Sequence, residues 1–147
     1  MDYQSRKYLM RKNNNINNSR IEKSSTPVGF GPLINTSKKS RVCSRIVYCR
    51  DFFSQGIGLT FHPKSSVNDC AYIFVFGKPR IVSLTMAFVF FPIDVLFLDD
   101  KKMIIEIKKD FMPWSFYTPK KESSYIIELE KGLVSSTKSS IGDCLEF

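Results

Sequence analysis

Asp94 stands in the most apolar part of this 147-residue chain, two positions after Pro92 in the run MAFVFFPIDVLFLD. An ionised carboxylate in such surroundings is costly unless it is paired or hydrogen-bonded, so the fold must provide for it. The side chain can accept main-chain N–H groups and fix the corner between two strands. Alternatively it can line a pocket with Met86, Trp114, Tyr117 and Lys120. In the pocket reading Trp114, the sole tryptophan, offers an amphipathic face to a ligand, although it serves equally well as core packing. Lys120, followed by Lys121, then holds an anionic group beside that aromatic, or else belongs to a solvated loop. Catalysis by Asp94 with Lys120 or a hydroxyl is a further option.

Other chemistry-bearing residues are sparse. His62 is the only histidine and precedes Pro63, so a Ser-His-Asp arrangement would have to be built on that one residue; a solvent-facing loop position is the simpler reading. The cysteines Cys43, Cys49, Cys70 and Cys144 form no C-x-x-C pair, and structural zinc sites present closely spaced ligand pairs. No metal is expected. Asp99–Asp100, followed by Lys101–Lys102, reads as a charged hairpin turn rather than a cation site. Neither G-x-x-x-x-G-K-[ST] nor G-x-G-x-x-G occurs, and no cofactor is expected.

The net charge of +8 suggests nucleic acid until it is located. Residues 1–41 carry nine basic side chains against Asp2 and Glu22, leaving thirteen basic against twelve acidic in the rest. The charge belongs to an N-terminal segment whose sequence (NNNINN, then SSTP) offers few and unperiodic apolar residues, and little burial to offset ordering entropy. A flexible basic tail over residues 1–41 and one domain over 42–147 are expected. Arg6, Lys7, Arg11, Lys12 and Arg20 would give any weak grip on nucleic acid or anionic surfaces. The basic start is not followed by a secretory apolar run, and unpatterned cysteines fit a reducing compartment. A cytoplasmic monomer is the expectation, with a small ligand or a protein as partner.

Residues 81–98 are almost unbroken in apolar character and can be read as a membrane span or as two strands meeting near Phe91–Pro92. Val82, Leu84, Met86, Phe88 and Phe90 alternate with a face containing Ser83, Thr85 and Ala87, the period-two pattern of a strand. Pro92 removes a donor, Asp94 would cost about 3 kcal/mol in hydrocarbon, and a span needs about 20 apolar residues. Strands are expected, and no membrane span. Further strands are expected at 57–61, 71–76, 103–107, 115–117, 125–129 and 144–147, with Glu128 and Glu130 facing out. Helical turns are expected at 50–56 and within 133–140, and hairpin turns at 77–80 and 99–102. This series predicts a mainly β protein, an antiparallel jelly-roll-like sandwich or barrel.

Five blocks, Gly56–Phe61 (GIGLTF), Met86–Asp99 (MAFVFFPIDVLFLD), Pro113–Lys121 (PWSFYTPKK), Tyr125–Gly132 (YIIELEKG) and Ile141–Phe147 (IGDCLEF), occur in one order. Together they resemble the prokaryotic domain of unknown function family 192 over residues 42–147. The resemblance implies a small jelly-roll-like β-domain and no established reaction. This chain has Gly58–Leu59–Thr60–Phe61–His62 where the family usually has Gly-Leu-Met-Phe-Arg, and Thr85 where members often carry His or Trp. A non-enzymatic binding or interaction module, its site near Asp94 and Trp114, is the leading functional expectation. A nucleic-acid-associated protein working through the tail, and an enzyme using Asp94, are the alternatives.

Overall fold

The computed structural model describes residues 28–29, 31–49 and 59–147. The expected helix at 50–56 and the candidate tail residues Arg6, Lys7, Arg11, Lys12 and Arg20 lie outside this set. Eleven strands run in chain order: β1 (Val28–Gly29), β2 (Leu33–Asn35), β3 (Ser40–Cys43), β4 (Arg45–Cys49), β5 (Cys70–Arg80), β6 (Leu84–Thr85), β7 (Ile93–Leu98), β8 (Ile104–Phe111), β9 (Phe116–Tyr117), β10 (Ser123–Glu130) and β11 (Leu145–Glu146). A 3-10 turn at Lys64–Val67 and a single helical turn, α1 (Leu133–Ser136), complete the described elements.

The strands form a six-stranded sheet in the order β1-β4-β5-β10-β7-β8, a three-stranded sheet β11-β2-β3 and the ribbon β6-β9. The protein is mainly β, and its sheets are open. Pairing is antiparallel except between β4 and β5, which run parallel, so the large sheet is mixed rather than purely antiparallel. The parallel pair needs a crossover to carry the chain from the end of β4 back to the start of β5.

The large sheet is covered on both faces, which explains its sequence. Every residue of β7 is buried, as expected for a strand between two neighbours with apolar layers above and below. Ile93, Val95 and Phe97 join Phe74, Ile126, Met86, Val89, Phe91 and Phe111 on one face. Leu96 and Leu98 join Ile73, Ile127 and Leu129 on the other, under Leu33, Val42, Leu145 and Val134. Thus the three-stranded sheet and α1 cap one face, while β6-β9 and the loops around Met86 cap the opposite one.

Several expectations are corrected. Residues 81–91 are not one strand: only Leu84–Thr85 is extended and paired, against β9. The backbone turns at Met86–Val89, where Phe88 adopts φ 60°, and this breaks the period-two register. Residues 77–80 are not a hairpin turn but the end of β5, with Arg80 paired to Ser123. Leu59–Phe61 is a turn closed by the N–H of His62 donating to the Leu59 carbonyl. The fold also reaches further N-terminal than position 42, because Leu33 and Asn35 of β2 are completely buried. No described helix is long and apolar enough to cross a membrane.

Asn35 shows how β2 is held. Its Nδ2 donates to Ser139 Oγ at 3.0 Å and to Asp143 Oδ2 at 3.0 Å, while Oδ1 accepts from Lys38 N. Asp143 also accepts from Ser140 N and faces Lys38 Nζ at 3.4 Å. Burial alone would raise the Asp143 carboxyl, but the bonds from Asn35 and Ser140, with Lys38, hold it below its ordinary value. Replacing Asn35 leaves a buried carboxylate short of donors, and such losses cost about 1–3 kcal/mol. Asn35→Ala is therefore expected to lower unfolding free energy by about 2 kcal/mol in urea titration. In a double-mutant cycle with Asp143→Ala the two losses should not add.

Candidate functional site

The turn at Met86 organises the surface that faces away from the three-stranded sheet. The Met86 side chain is sealed in the core, and both its main-chain groups are engaged. Its N–H donates to the Ser115 carbonyl at 2.8 Å, and its carbonyl accepts from Trp114 N at 3.1 Å and Val89 N at 3.2 Å. Phe61 N donates to the Phe88 carbonyl at 3.0 Å. These bonds tie together loops from three distant parts of the chain. Val89 and Phe91 point inward; Phe88 and Phe90 cannot follow and point out.

The result is a continuous group of solvent-facing rings. Phe61 is 70% exposed, Phe88 46%, Phe90 62% and Trp114 62%. Phe61 stacks on Phe88 with centroids 4.9 Å apart, Phe88 meets Trp114 edge-on at 5.3 Å, and Phe90 meets Trp114 at 5.9 Å. Phe61, Phe88 and Trp114 all have φ near 60°, at 59°, 60° and 60°. Bulky side chains rarely occupy this left-handed region, and each costs about 1 kcal/mol or more there. Met112 and Phe116, two residues either side of Trp114, are also exposed.

The remaining predicted residues fall into two other groups. Tyr117 packs against the core beneath β9 and donates its hydroxyl to Glu106 Oε1 at 2.6 Å, a bond that raises the phenol above its ordinary pKa. The Glu106 carboxylate also accepts from Lys120 N at 2.9 Å and Lys121 N at 3.2 Å. Lys108 Nζ lies 5.2 Å from the Tyr117 ring centre. Lys120 thus takes part through its main chain, with its side chain exposed. Asp94 is separate: β7 directs it to the other face of the sheet. There Oδ2 accepts from Gly132 N at 2.9 Å and Val134 N at 3.3 Å, and Oδ1 from Asp110 N at 3.1 Å. Met86 and Trp114 are brought together, and Tyr117 and Lys120 share Glu106, while Asp94 clasps the loops after β8 and β10.

His62 packs edge-on against Tyr72 at 5.9 Å. Cys43, Cys49 and Cys70 are buried, and burial pushes the Cys43 thiol up to about 11. Among the described residues no three acidic, histidine or cysteine side chains converge on a point that could hold a metal.

Two groups escaped the sequence reading. Glu106 carries no signal in its strand pattern. Glu128 was expected to face out, yet it lies beside Tyr72 and Val95 across the sheet, and its Oε2 is buried without a partner. Burial pushes its carboxyl up to about 8. Ile126 on the same face, two residues earlier, was the available warning that this face is covered too.

The chain belongs to the domain of unknown function 192 family, described as Uncharacterized ACR, whose profile matches residues 33–147. A relative from Thermococcus sibiricus, a UPF0127 protein, is 32% identical over 116 residues, covering 78% of this chain and 73% of its own. A crystal structure from Sinorhizobium meliloti, described as a candidate transcription regulator, has 26% identity and a TM-score of 0.69, covering 78% of this chain and 89% of that one. A protein of unknown function from Novosphingobium aromaticivorans shares the fold at 18% identity and a TM-score of 0.69, covering 88% and 91%.

Asp94→Ala removes an acceptor from three main-chain donors and should destabilise the protein by about 3 kcal/mol in chemical unfolding. For Glu128 the sign follows from linkage. A carboxyl raised from 4.5 to about 8 on folding keeps its proton in the folded state. The folded protein binds more protons than the unfolded chain between those values, so stability falls as pH rises across that window. Glu128→Gln is expected to flatten this slope and to stabilise the protein above pH 8, by on the order of 2 kcal/mol. Unfolding curves at acid and alkaline pH that stay parallel for the two proteins would contradict it.

Proposed function

We propose that this protein is a non-enzymatic binding module whose contact surface is the ring cluster Phe61, Phe88, Phe90 and Trp114, seated on the buried anchor Met86. The observation that carries the reading is the pairing of exposure with backbone strain. Three rings stand in left-handed conformations and face water. Strain of this kind persists where surrounding structure enforces it, and it gathers at binding sites. Contiguous exposed apolar patches mark interaction surfaces. Tyr117 and Lys120, grouped on Glu106, belong to the support of the same side of the sheet. Asp94, with its carboxylate committed to main-chain donors, serves this module by holding loops rather than by contacting a ligand.

A second reading, association with nucleic acid through the basic N-terminal segment, draws on the concentration of charge in residues 1–41 and on the Sinorhizobium relative described as a candidate transcription regulator. Phosphate contacts by Arg6, Lys7, Arg11, Lys12 and Arg20 would make binding fall steeply with salt.

The binding surface is tested by Phe88→Ser, Phe90→Ser and Trp114→Ser combined in one variant. Core aromatics cost about 3–5 kcal/mol when truncated, whereas these exposed rings should cost under about 1 kcal/mol in total. The native protein should take up the neutral apolar dye Nile red, and the triple variant should lose that uptake while keeping its melting temperature. A variant that unfolds, or a native protein that ignores the dye, would overturn the reading.

A further inference from the structure

We infer that Glu128 anchors the head group of a second site, which takes a primary ammonium carried on an apolar body. The inference goes beyond the ring surface and does not depend on it. On β10 the Glu128 side chain opposes Tyr72 of β5 and Val95 of β7, on the sheet face packed by Ile126, Leu59 and Val67. Its Oε2 is sealed from solvent and has no hydrogen-bond partner among the described residues. Native proteins leave few such atoms, and each calls for an explanation. Glu128 as a whole is only half-buried, so its carboxyl lies just beneath the surface rather than at the centre of the core. Tyr72 links it to two further half-buried polar residues. The His62 ring meets Tyr72 edge-on at 5.9 Å, and the Ser66 side chain hydrogen-bonds the Tyr72 hydroxyl.

The environment of the carboxyl sets the class of ligand. Burial alone raises it to about 8, with no cation facing it among the described residues. Cys70 and Tyr72, raised by burial as well, stay neutral beside it. A buried carboxyl that keeps its proton for want of a counterion ionises when one is supplied. The proton passes to solvent as the ion pair forms. An ammonium is a compact charge with three donors and no acceptor, so one unmatched oxygen suffices for it. A guanidinium, by contrast, seeks both carboxylate oxygens in one plane. The Tyr72 ring adds a π face that attracts cations, and the sealed side chains of Val95 and Ile126 give the apolar wall.

The chain supplies its own reporter, because His62 is the only histidine. Full-length protein at constant neutral pH is titrated with benzylamine, and with benzyl alcohol as the neutral counterpart. The His62 imidazole proton resonances are followed, and calorimetry in two buffers of different ionisation heat counts protons. Benzylamine should shift the His62 resonances saturably, with release of about one proton per amine bound. Benzyl alcohol should bind at least about tenfold more weakly and release none. Glu128→Gln keeps the shape of the side chain and removes the ionisable oxygen. It should weaken benzylamine at least about tenfold and abolish proton release, with Nile red uptake unchanged. No saturable benzylamine signal in either measurement would overturn the inference. So would equal binding of amine and alcohol, which means apolar contact alone, or undiminished benzylamine binding by Glu128→Gln, which places the amine elsewhere. Loss of Nile red uptake with benzylamine binding intact overturns the ring surface and leaves this site standing.

Discussion

The main chain of Met86 is the constraint on which the candidate site depends. One N–H and one carbonyl make three hydrogen bonds, to Ser115, Trp114 and Val89, while the side chain is locked in the core. A net hydrogen bond is worth about 1 kcal/mol, and a buried methionine truncated to alanine costs about 2–5 kcal/mol. Those sums are large enough to hold Phe88 and Trp114 in left-handed backbone at about 1 kcal/mol or more each. Without the anchor, the apolar run would relax toward burying Phe88 and Phe90. With it, the chain divides a greasy segment into Met86, Val89 and Phe91 for the core and Phe88 and Phe90 for the surface.

A second constraint operates on the opposite face of the sheet. Asp94 occupies a strand buried on both sides, and its carboxylate gathers the N–H groups of Asp110, Gly132 and Val134. Gly132 has φ 90°, a conformation that glycine adopts without a Cβ penalty, and this turn aims its N–H at the carboxylate. The two buried positions have complementary tasks. Asp94 fixes how the loops beyond β8 and β10 meet, and Met86 fixes how the loops on the far side display their rings. Neither task requires the two residues to meet, which is why a single pocket holding both does not form.

Much of this was legible in the residues. The apolar run of β7, the charged turn at Asp99–Lys102 and the short helical turn after Gly132 follow from composition and punctuation, and the family blocks point to the same β-rich body. The costly carboxylate at Asp94 demanded partners, and main-chain partners are what it has. The misreading of residues 81–91 has a physical source: bulky residues at even positions suggest a strand, but Val89 and Phe91 are as apolar as Phe88 and Phe90. When both parities are greasy, periodicity cannot tell which residues the core accepts; backbone hydrogen bonds to residues 114 and 115, remote in sequence, decide it. Glu128 was misplaced for a related reason, since alternation reveals a buried face only when the other face is open to water. The mixed character of the large sheet, set by the parallel β4–β5 pair, depends on a crossover that no local pattern announces.

The central claim is that the anchored turn keeps Trp114 in water. Acrylamide quenching of the isolated, dilute protein measures this directly through its one tryptophan. A quenching constant close to that of a free indole is predicted, because the ring stands largely outside the folded body. Strong shielding from acrylamide, with emission characteristic of an apolar interior, would contradict the account and place Trp114 in the core.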